Sequence, residues 1–374
     1  MTLKILHYYK DNQSGRIDLL RKSSNQSYRH RLRRIDKSFS IKNFVDQSDY
    51  DLMCVHHDLD FLERLLMRDI RGKIAFLPHS NLVSNGSRRR WKRIMRRLNR
   101  DLILIVGSKR VSSGFPDLSG QDFLRPWVCP TFGIDGNPIA KWKNEKRFDI
   151  GFFGRMDPDK APHFVFEIAE KLSKLLERNI NVVFCGKENL FCGPYFSYFI
   201  SNVKLPENVH YTWVDNPTDS EFQAYLSSCR CVVHPGCSLW ETWCRVAWES
   251  VSLGVPFVGP DWDGIGEASE LANNGIFSVP VIEDLECCLD HSEDAGFQSF
   301  ESLLHFNNFV SDMNKMSCTI AEIIEIENHP KEFCVECGRY GRFLETLSAI
   351  CAGDSNHLLK ETMFFKDQRY LANL

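Results

Sequence analysis

The stretch from Cys231 to Val258 restricts the fold more than any other part of the chain. An apolar run, Cys231-Val232-Val233, leads into His234-Pro235-Gly236. A loop and one helix-forming segment follow, and Gly254 and Pro256 precede a second apolar run, Phe257-Val258. Glycine just past a helix takes the left-handed conformation with little strain, and a proline two residues on stops the helix from resuming. Two short buried strands joined by one helix form a βαβ crossover, which demands a parallel sheet.

The rest of the chain repeats this alternation. In the first part, Leu3 to Tyr9, Tyr50 to Val55, Lys73 to Leu77, Leu102 to Val106 and Trp127 to Cys129 read as strands; Leu59 to Arg68 and Arg88 to Leu98 read as helices. A charged stretch without apolar periodicity, Lys141 to Arg147, then follows Gly133, Gly136 and Pro138 and marks a boundary. Beyond it come strand Phe148 to Phe153, helix Pro162 to Glu177, strands Val182 to Cys185 and Val209 to Thr212, helix Ser220 to Ser227 and strand Cys231 to His234. Phe300 to Leu374 reads as helical. Alternation of this kind implies α/β architecture with doubly wound sheets. We expect two Rossmann-like domains, residues 1–145 and 146–374, facing across a cleft, with the last helices returning to the first domain.

Charge separates the same two parts. Residues 1–150 carry 30 Lys and Arg against 16 Asp and Glu, whereas the whole chain has 46 against 49, so the remainder is strongly acidic. No window approaches the length of an apolar membrane span, and the N-terminus, Met1 to Lys10, reads as a first strand rather than a signal peptide, so a cytoplasmic protein is expected. The 14 cysteines are scattered and fit reduced, packed thiols. Cys334 and Cys337 form one C-x-x-C without a second pair, so no metal site is assigned.

Two carboxylates stand out near the crossover helix: Glu241 in the loop that opens it and Glu249 two turns in. A helix N-terminus presents unpaired N–H groups and the positive end of a dipole, where a phosphate settles. Two readings stay open on spacing alone. Glu241 caps the helix while Glu249 is surface or paired with a lysine, or the pair lines a ligand site.

Taken with Ile150-Gly151-Phe152-Phe153-Gly154-Arg155-Met156-Asp157-Pro158-Asp159-Lys160-Ala161, this segment resembles the donor half of retaining GT-B glycosyltransferases of family 4 type. In that family a strand ends in Gly-Arg, a Lys follows five residues later, and two Glu separated by seven residues come downstream. Gly154, Arg155, Lys160, Glu241 and Glu249 match position for position. The resemblance covers Trp127 to Val279, with lesser echoes at Phe132 to Asp135, Asn208 to Trp213 and Asp261 to Glu267.

The resemblance implies a hexose transferred from a nucleotide-diphosphate sugar with retention of configuration, without a metal or other cofactor. Arg155 and Lys160 would stabilise the departing diphosphate, Glu249 would bind the ribose hydroxyls, and Glu241 would contact the sugar. His79, after an N-domain strand, matches a place where the family often has a histidine near the sugar. Gly15, Gly154, Trp213, Thr242, Trp243 and Cys244 would complete the donor pocket. Thr242, Trp243 and Cys244 replace the family's Gly-aromatic-Gly, and Gly15 stands alone where the family has an adjacent pair. These departures fall in the sugar pocket rather than in the nucleotide grip. A catalytically weakened nucleotide-sugar or polyanion binder is the alternative they leave.

The densest basic segment, Arg88, Arg89, Arg90, Trp91, Lys92, Arg93, Arg96 and Arg97, reads as a helix capped by Ser87 with Trp91, Ile94, Met95 and Leu98 in one stripe. Such a helix suits the inner face of a membrane and an anionic or lipid-borne acceptor, which the family resemblance also suggests. With Tyr28 to Arg34 it could instead track nucleic-acid phosphates, and the stripe could pack on the sheet. The membrane reading leads.

Overall fold

The computed structural model describes residues 3–9, 28–34, 50–68, 72–78, 82, 85–128, 145–188, 194–236, 244–271, 275–283 and 309–325. They fall in two compact units, the first holding the described residues up to 128 and the second those from 145 to 325.

The first unit is built on a parallel sheet of six strands: β1 (Leu3–Tyr9), β2 (Tyr28–Arg34), β3 (Leu52–His56), β4 (Lys73–Leu77), β5 (Leu102–Val106) and β6 (Leu124–Val128), in the order β2-β1-β3-β4-β5-β6. Strand-forming Leu, Ile and Val dominate β5, and all five of its residues are buried. Tyr28 to Arg34, which the sequence reading leaves without an element, is an edge strand in parallel register with β1, from Leu3 opposite Tyr28 to Tyr9 opposite Arg34. It has too few apolar residues to announce a strand; the ladder with β1 supplies what its own pattern lacks.

Two helices, α1 (Leu59–Leu66) and α2 (Asn85–Arg97), contribute to one core with this sheet. The Asp58 carboxylate caps α1 by accepting from the Phe61 amide at 2.9 Å. Helix α2 begins two residues before Ser87, so Ser87 lies within it and does not cap it. The apolar stripe of α2 is core: Trp91 is 1% exposed and Met95 is fully buried. Trp91 stacks with Phe76, meets Phe115 edge to face, and donates its indole N–H to the Pro116 carbonyl at 3.0 Å. The expectation that Trp91 rests on a membrane is therefore corrected. Burying such side chains is worth roughly 1.5–3 kcal/mol each, and the sheet claims them.

The second unit holds β7 (Phe148–Phe153), β8 (Ile180–Cys185), β9 (Val209–Val214), β10 (Cys229–Val233), β11 (Phe257–Pro260) and β12 (Ile276–Val279) in the order β12-β11-β10-β7-β8-β9, all parallel. From β7 the chain runs outward through β8 and β9, then returns to β10 on the other side of β7. The order therefore reverses between β7 and β10. In a doubly wound sheet that reversal is where ligands bind, beyond the carboxyl ends of the strands.

The short α3 (Lys109–Ser113) belongs to the first unit; α4 (Phe164–Leu176) and α9 (Met313–Glu325) share one hydrophobic core with the second sheet, and α8 (Asp263–Leu271) joins β11 to β12. An eight-residue helix, α5 (Tyr195–Asn202), is absent from the sequence reading because its aromatic residues show no clear helical period; Phe196 and Phe199 join the core beside Phe166 and Phe184. Helix α6 (Asp219–Ser227) starts with a full capping box of Thr218 and Glu221. Helix α7 (Arg245–Ser252) has Leu253 as its C-cap, and Gly254 follows with φ +74°, as the glycine-proline ending predicts.

Candidate donor site at the switch point of the second unit

The loop leaving β7 carries Gly154 to Lys160. It is fastened to its neighbours through backbone bonds, Gly154 N–H to the Cys185 carbonyl at 3.1 Å and Met156 N–H to the Lys187 carbonyl at 3.0 Å. Gly186, at the end of β8, has φ +155°, and a β-carbon there would lie 1.7 Å from the Gly154 carbonyl oxygen. No other residue fits so close an approach of two backbones. Trp213 donates its indole N–H to the Gly186 carbonyl at 3.3 Å and packs edge to face on Phe196. The structure thus gives Trp213 a direct hold on the loop beside Gly154.

From the other side of the switch point, the end of β10 delivers His234-Pro235-Gly236. A β-carbon on Gly236 would fall 2.8 Å from the Asp159 carbonyl oxygen and 2.8 Å from both the carbonyl carbon and oxygen of Lys160. The two sequence motifs, 76 residues apart between Lys160 and Gly236, meet in backbone contact.

Arg155 is 51% exposed, and its guanidinium bonds to Asp157 through Nη1 and to Asp159 through Nη2, the second at 3.2 Å. Both carboxylates are buried, Asp157 to 1% and Asp159 to 6%. Both acids stand within the motif, but sequence alone gives them no role, since their burial is a tertiary property; the spacing Arg155-x-Asp157-x-Asp159 is the signal that marks them. They hold the arginine fork in one place while half of it stays open to solvent. Lys160 is half-buried at the end of a 3-10 turn, Pro158–Lys160, and the left-handed Ala161 turns the chain into α4. The loop therefore presents two cations against two carboxylates, with the cations nearer the solvent.

Helix α7 starts at Arg245, later than the sequence reading placed it, so Glu249 sits at its fifth residue. Its carboxylate, 16% exposed, accepts from Arg245 Nε at 2.9 Å and Nη2 at 2.7 Å, one turn earlier on the same helix. The bland alternative of a paired Glu249 holds, but with an arginine in place of the expected lysine. Cys244 occupies the N-cap position at the start of α7, with its side chain 4% exposed and packed inward. Gly15, His79, Glu241, Thr242 and Trp243 lie outside the described residues, as do Cys334 and Cys337.

The basic helix of the first unit divides by role. Arg93 forms a two-point pair with Glu63 (2.6 and 2.7 Å), Arg97 approaches the same carboxylate at 3.7 Å, and Arg90 meets Asp60 at 3.0 Å. Arg88 donates to the Leu82 carbonyl at 2.8 Å. These arginines tie α2 to α1 and to the chain before it, while Arg89, Lys92 and Arg96 are exposed. At the first unit's own reversal, between β1 and β3, the buried His7 and His56 meet through Nδ1 and Nε2 at 3.0 Å, one ring donating and the other accepting. Sequence alone does not mark this pair. Among the described residues no group of three or more His, Cys, Asp or Glu could hold a metal ion, and no helix is long and apolar enough to cross a membrane.

Residues 137–287, about two fifths of the chain, match the family described as Glycosyl transferases group 1. Comparison with curated proteins gives no match. Among solved structures, the UDP-forming α,α-trehalose-phosphate synthase from Burkholderia xenovorans aligns over 100% of both chains at 12% identity with a TM-score of 0.57. "Trehalose-6-phosphate from E. coli bound with UDP-2-fluoro glucose" aligns over 86% of this chain and 99% of that one at 11% identity, TM-score 0.53. TarM, at 16% identity and TM-score 0.49, matches 83% of this chain, which spans a little over half (56%) of TarM's length. The fold is α/β of the GT-B glycosyltransferase type.

Proposed function

We propose that the chain transfers a hexose from a nucleotide-diphosphate sugar, with retention of anomeric configuration and without a metal, to an anionic or membrane-associated acceptor. The observation that carries this reading is the meeting of Lys160 and Gly236 at the β7/β10 reversal, with Arg155 fixed beside them. A diphosphate leaving group develops negative charge on its bridging oxygen, and preorganised cations there lower the barrier. Arg155 offers a planar fork and Lys160 a point charge, so the two suit neighbouring phosphates of one diphosphate. Glu249, held by Arg245, would accept hydrogen bonds from the ribose diol. The neighbours named for UDP and a UDP-sugar make uridine diphosphate sugars the first donors to test.

Retention requires either a nucleophile on the opposite face of the sugar or attack on the same face as departure. We assign the second course, with no protein nucleophile, the acceptor proton passing to the leaving phosphate. In this reading the second unit holds the donor and the basic first unit the acceptor, with Arg89, Lys92 and Arg96 as the exposed cations that would meet an anionic surface at the inner face of a membrane.

The tie of Arg155 to Asp157 and Asp159 favours one second reading, a nucleotide-sugar binder whose arginine is too well neutralised to assist departure. Incubation with a panel of UDP-, GDP- and ADP-sugars separates them. Release of free nucleoside diphosphate, with the anomer of the first-formed sugar matching the donor, supports transfer; tight donor binding with no release across the panel supports the binder.

A further inference from the structure

We propose that the hollow at the amino ends of β7, β8 and β10 is a second anion site, separate from the switch-point loops, that takes a phosphate-bearing ligand. The strands are parallel and β7 has six residues, so this end lies roughly 20 Å from the Gly154 loop at about 3.3 Å per residue. The hollow encloses about 580 Å³ and lies wholly within the second unit.

Its lining carries four cations, Lys146, Arg147, Arg178 and Arg230, and two carboxylates, Asp149 and Glu325. Their pairing is uneven. Asp149 is 4% exposed and its oxygens are already occupied: Arg178 donates to them at 2.7 and 3.0 Å, and the Asn181 amide at 2.9 Å. Arg178 is spent on that carboxylate and on the Asn179 carbonyl at 3.0 Å. Arg230 comes only to 3.7 Å of Asp149, too far for a hydrogen bond, and makes none with its side chain among the described residues. Arg147 lies over the rings of Phe148 and Tyr225, 5.7 and 5.9 Å from their centroids, a contact that fixes its plane without neutralising it.

Lys146 donates to the Ser227 carbonyl at 2.9 Å and has no carboxylate partner among the described residues. Its ammonium is held below the usual lysine range, first by desolvation and further by repulsion from Arg230. A bound anion would relieve that repulsion. Lys146, Arg147 and Arg230 thus line an opening whose two carboxylates are Asp149, already taken up by Arg178 and approached by Arg230 at 3.7 Å, and the exposed Glu325, and the amino ends of β7 and β10 hold the three cations in place. A phosphate monoester or diphosphate supplies the acceptors their N–H groups lack.

The test is hydrogen exchange read by mass spectrometry on the full chain, with inorganic pyrophosphate as the probe. Because each segment is read separately, binding at the switch-point loops is distinguished from binding here. Protection of about twofold or more is expected across 145–149 and 176–181, and the Lys146→Gln, Arg230→Gln double variant should need about tenfold more pyrophosphate to reach it. Unchanged protection at 154–160 and an unchanged melting temperature would show that the double variant is folded. Protection confined to 154–160, or protection of 145–149 that survives the double substitution, would overturn the proposal. Co-sedimentation with phosphatidic acid vesicles that is lost on Arg230→Gln would identify a lipid headgroup as the source; pyrophosphate protection without it would identify a soluble ester.

Discussion

Gly236 packs against the backbone of Lys160 so closely that a β-carbon on it would lie 2.8 Å from the lysine's carbonyl oxygen. That contact joins the loop after β10 to the loop after β7, and it explains why two short motifs far apart in the chain can serve one ligand. Neither backbone segment can yield as the end of a flexible side chain could. Gly236→Ala should therefore destabilise the fold by about 1–3 kcal/mol and displace the Lys160 loop. Thermal melting paired with a nucleotide titration checks this. A variant that melts and binds like the parent would show that the loops are not seated on each other.

Arg155 and Lys160 should matter to turnover more than to folding. Arg155 is half exposed, so its replacement by Ala should leave the melting temperature within a few degrees while lowering the rate by about 100-fold or more, as removal of one transition-state donor does elsewhere. Asp159→Asn is the informative companion. It weakens the hold on the guanidinium, so donor affinity should fall less than in Arg155→Ala. Equal rates for Arg155→Ala and the parent would remove the arginine from the mechanism.

The two faces of the basic helix should separate cleanly. Trp91→Ala opens the first unit's core between Phe76 and Phe115 and should cost about 3–5 kcal/mol. Lys92→Ala with Arg96→Ala should change stability by about 0.5 kcal/mol or less. If the acceptor is a membrane lipid, the second pair should weaken sedimentation with anionic vesicles, and sedimentation indifferent to it would move the acceptor elsewhere.

Acid should selectively erase one local contribution. The Glu221 carboxyl is held below its ordinary value by the Thr218 backbone N–H and then by the Thr218 hydroxyl. A folded-state pKa below the unfolded value, about 4.3, stabilises the protein above that pH, and the contribution fades as pH falls through the lowered folded value. Glu221→Gln should therefore melt below the parent at pH 7, and the gap should close in strong acid. A gap constant from neutral to acid pH would assign it to something other than the charge.

Much of the layout was legible because buried parallel strands write themselves as apolar runs: β1, β4, β5 and β7 occupy the stretches their composition indicates. Tyr28 to Arg34 was not, because its strand depends on the β1 ladder rather than on its own pattern. The start of α7 was misplaced for a related reason: Cys244 supplies no polar side-chain cap that composition could reveal. In the site, the Gly154, Arg155 and Lys160 spacing was readable, whereas the clamp by Asp157 and Asp159 was not. Acids beside a basic residue look like surface charge until the fold buries them. The stripe of Trp91, Ile94, Met95 and Leu98 shows the converse, since a helical period identifies an apolar face but not whether a sheet or a bilayer covers it.

The central claim is that the β7/β10 reversal grips a nucleoside diphosphate. Calorimetric titration of UDP, GDP and ADP into the parent and into Arg155→Ala with Lys160→Ala tests it most directly. We predict that one of the three binds the parent at about one equivalent and that the double variant weakens it by about 100-fold or more, near 2.7 kcal/mol at 1.36 kcal/mol per decade. Absence of binding by all three, or the same affinity in parent and double variant, would contradict the account.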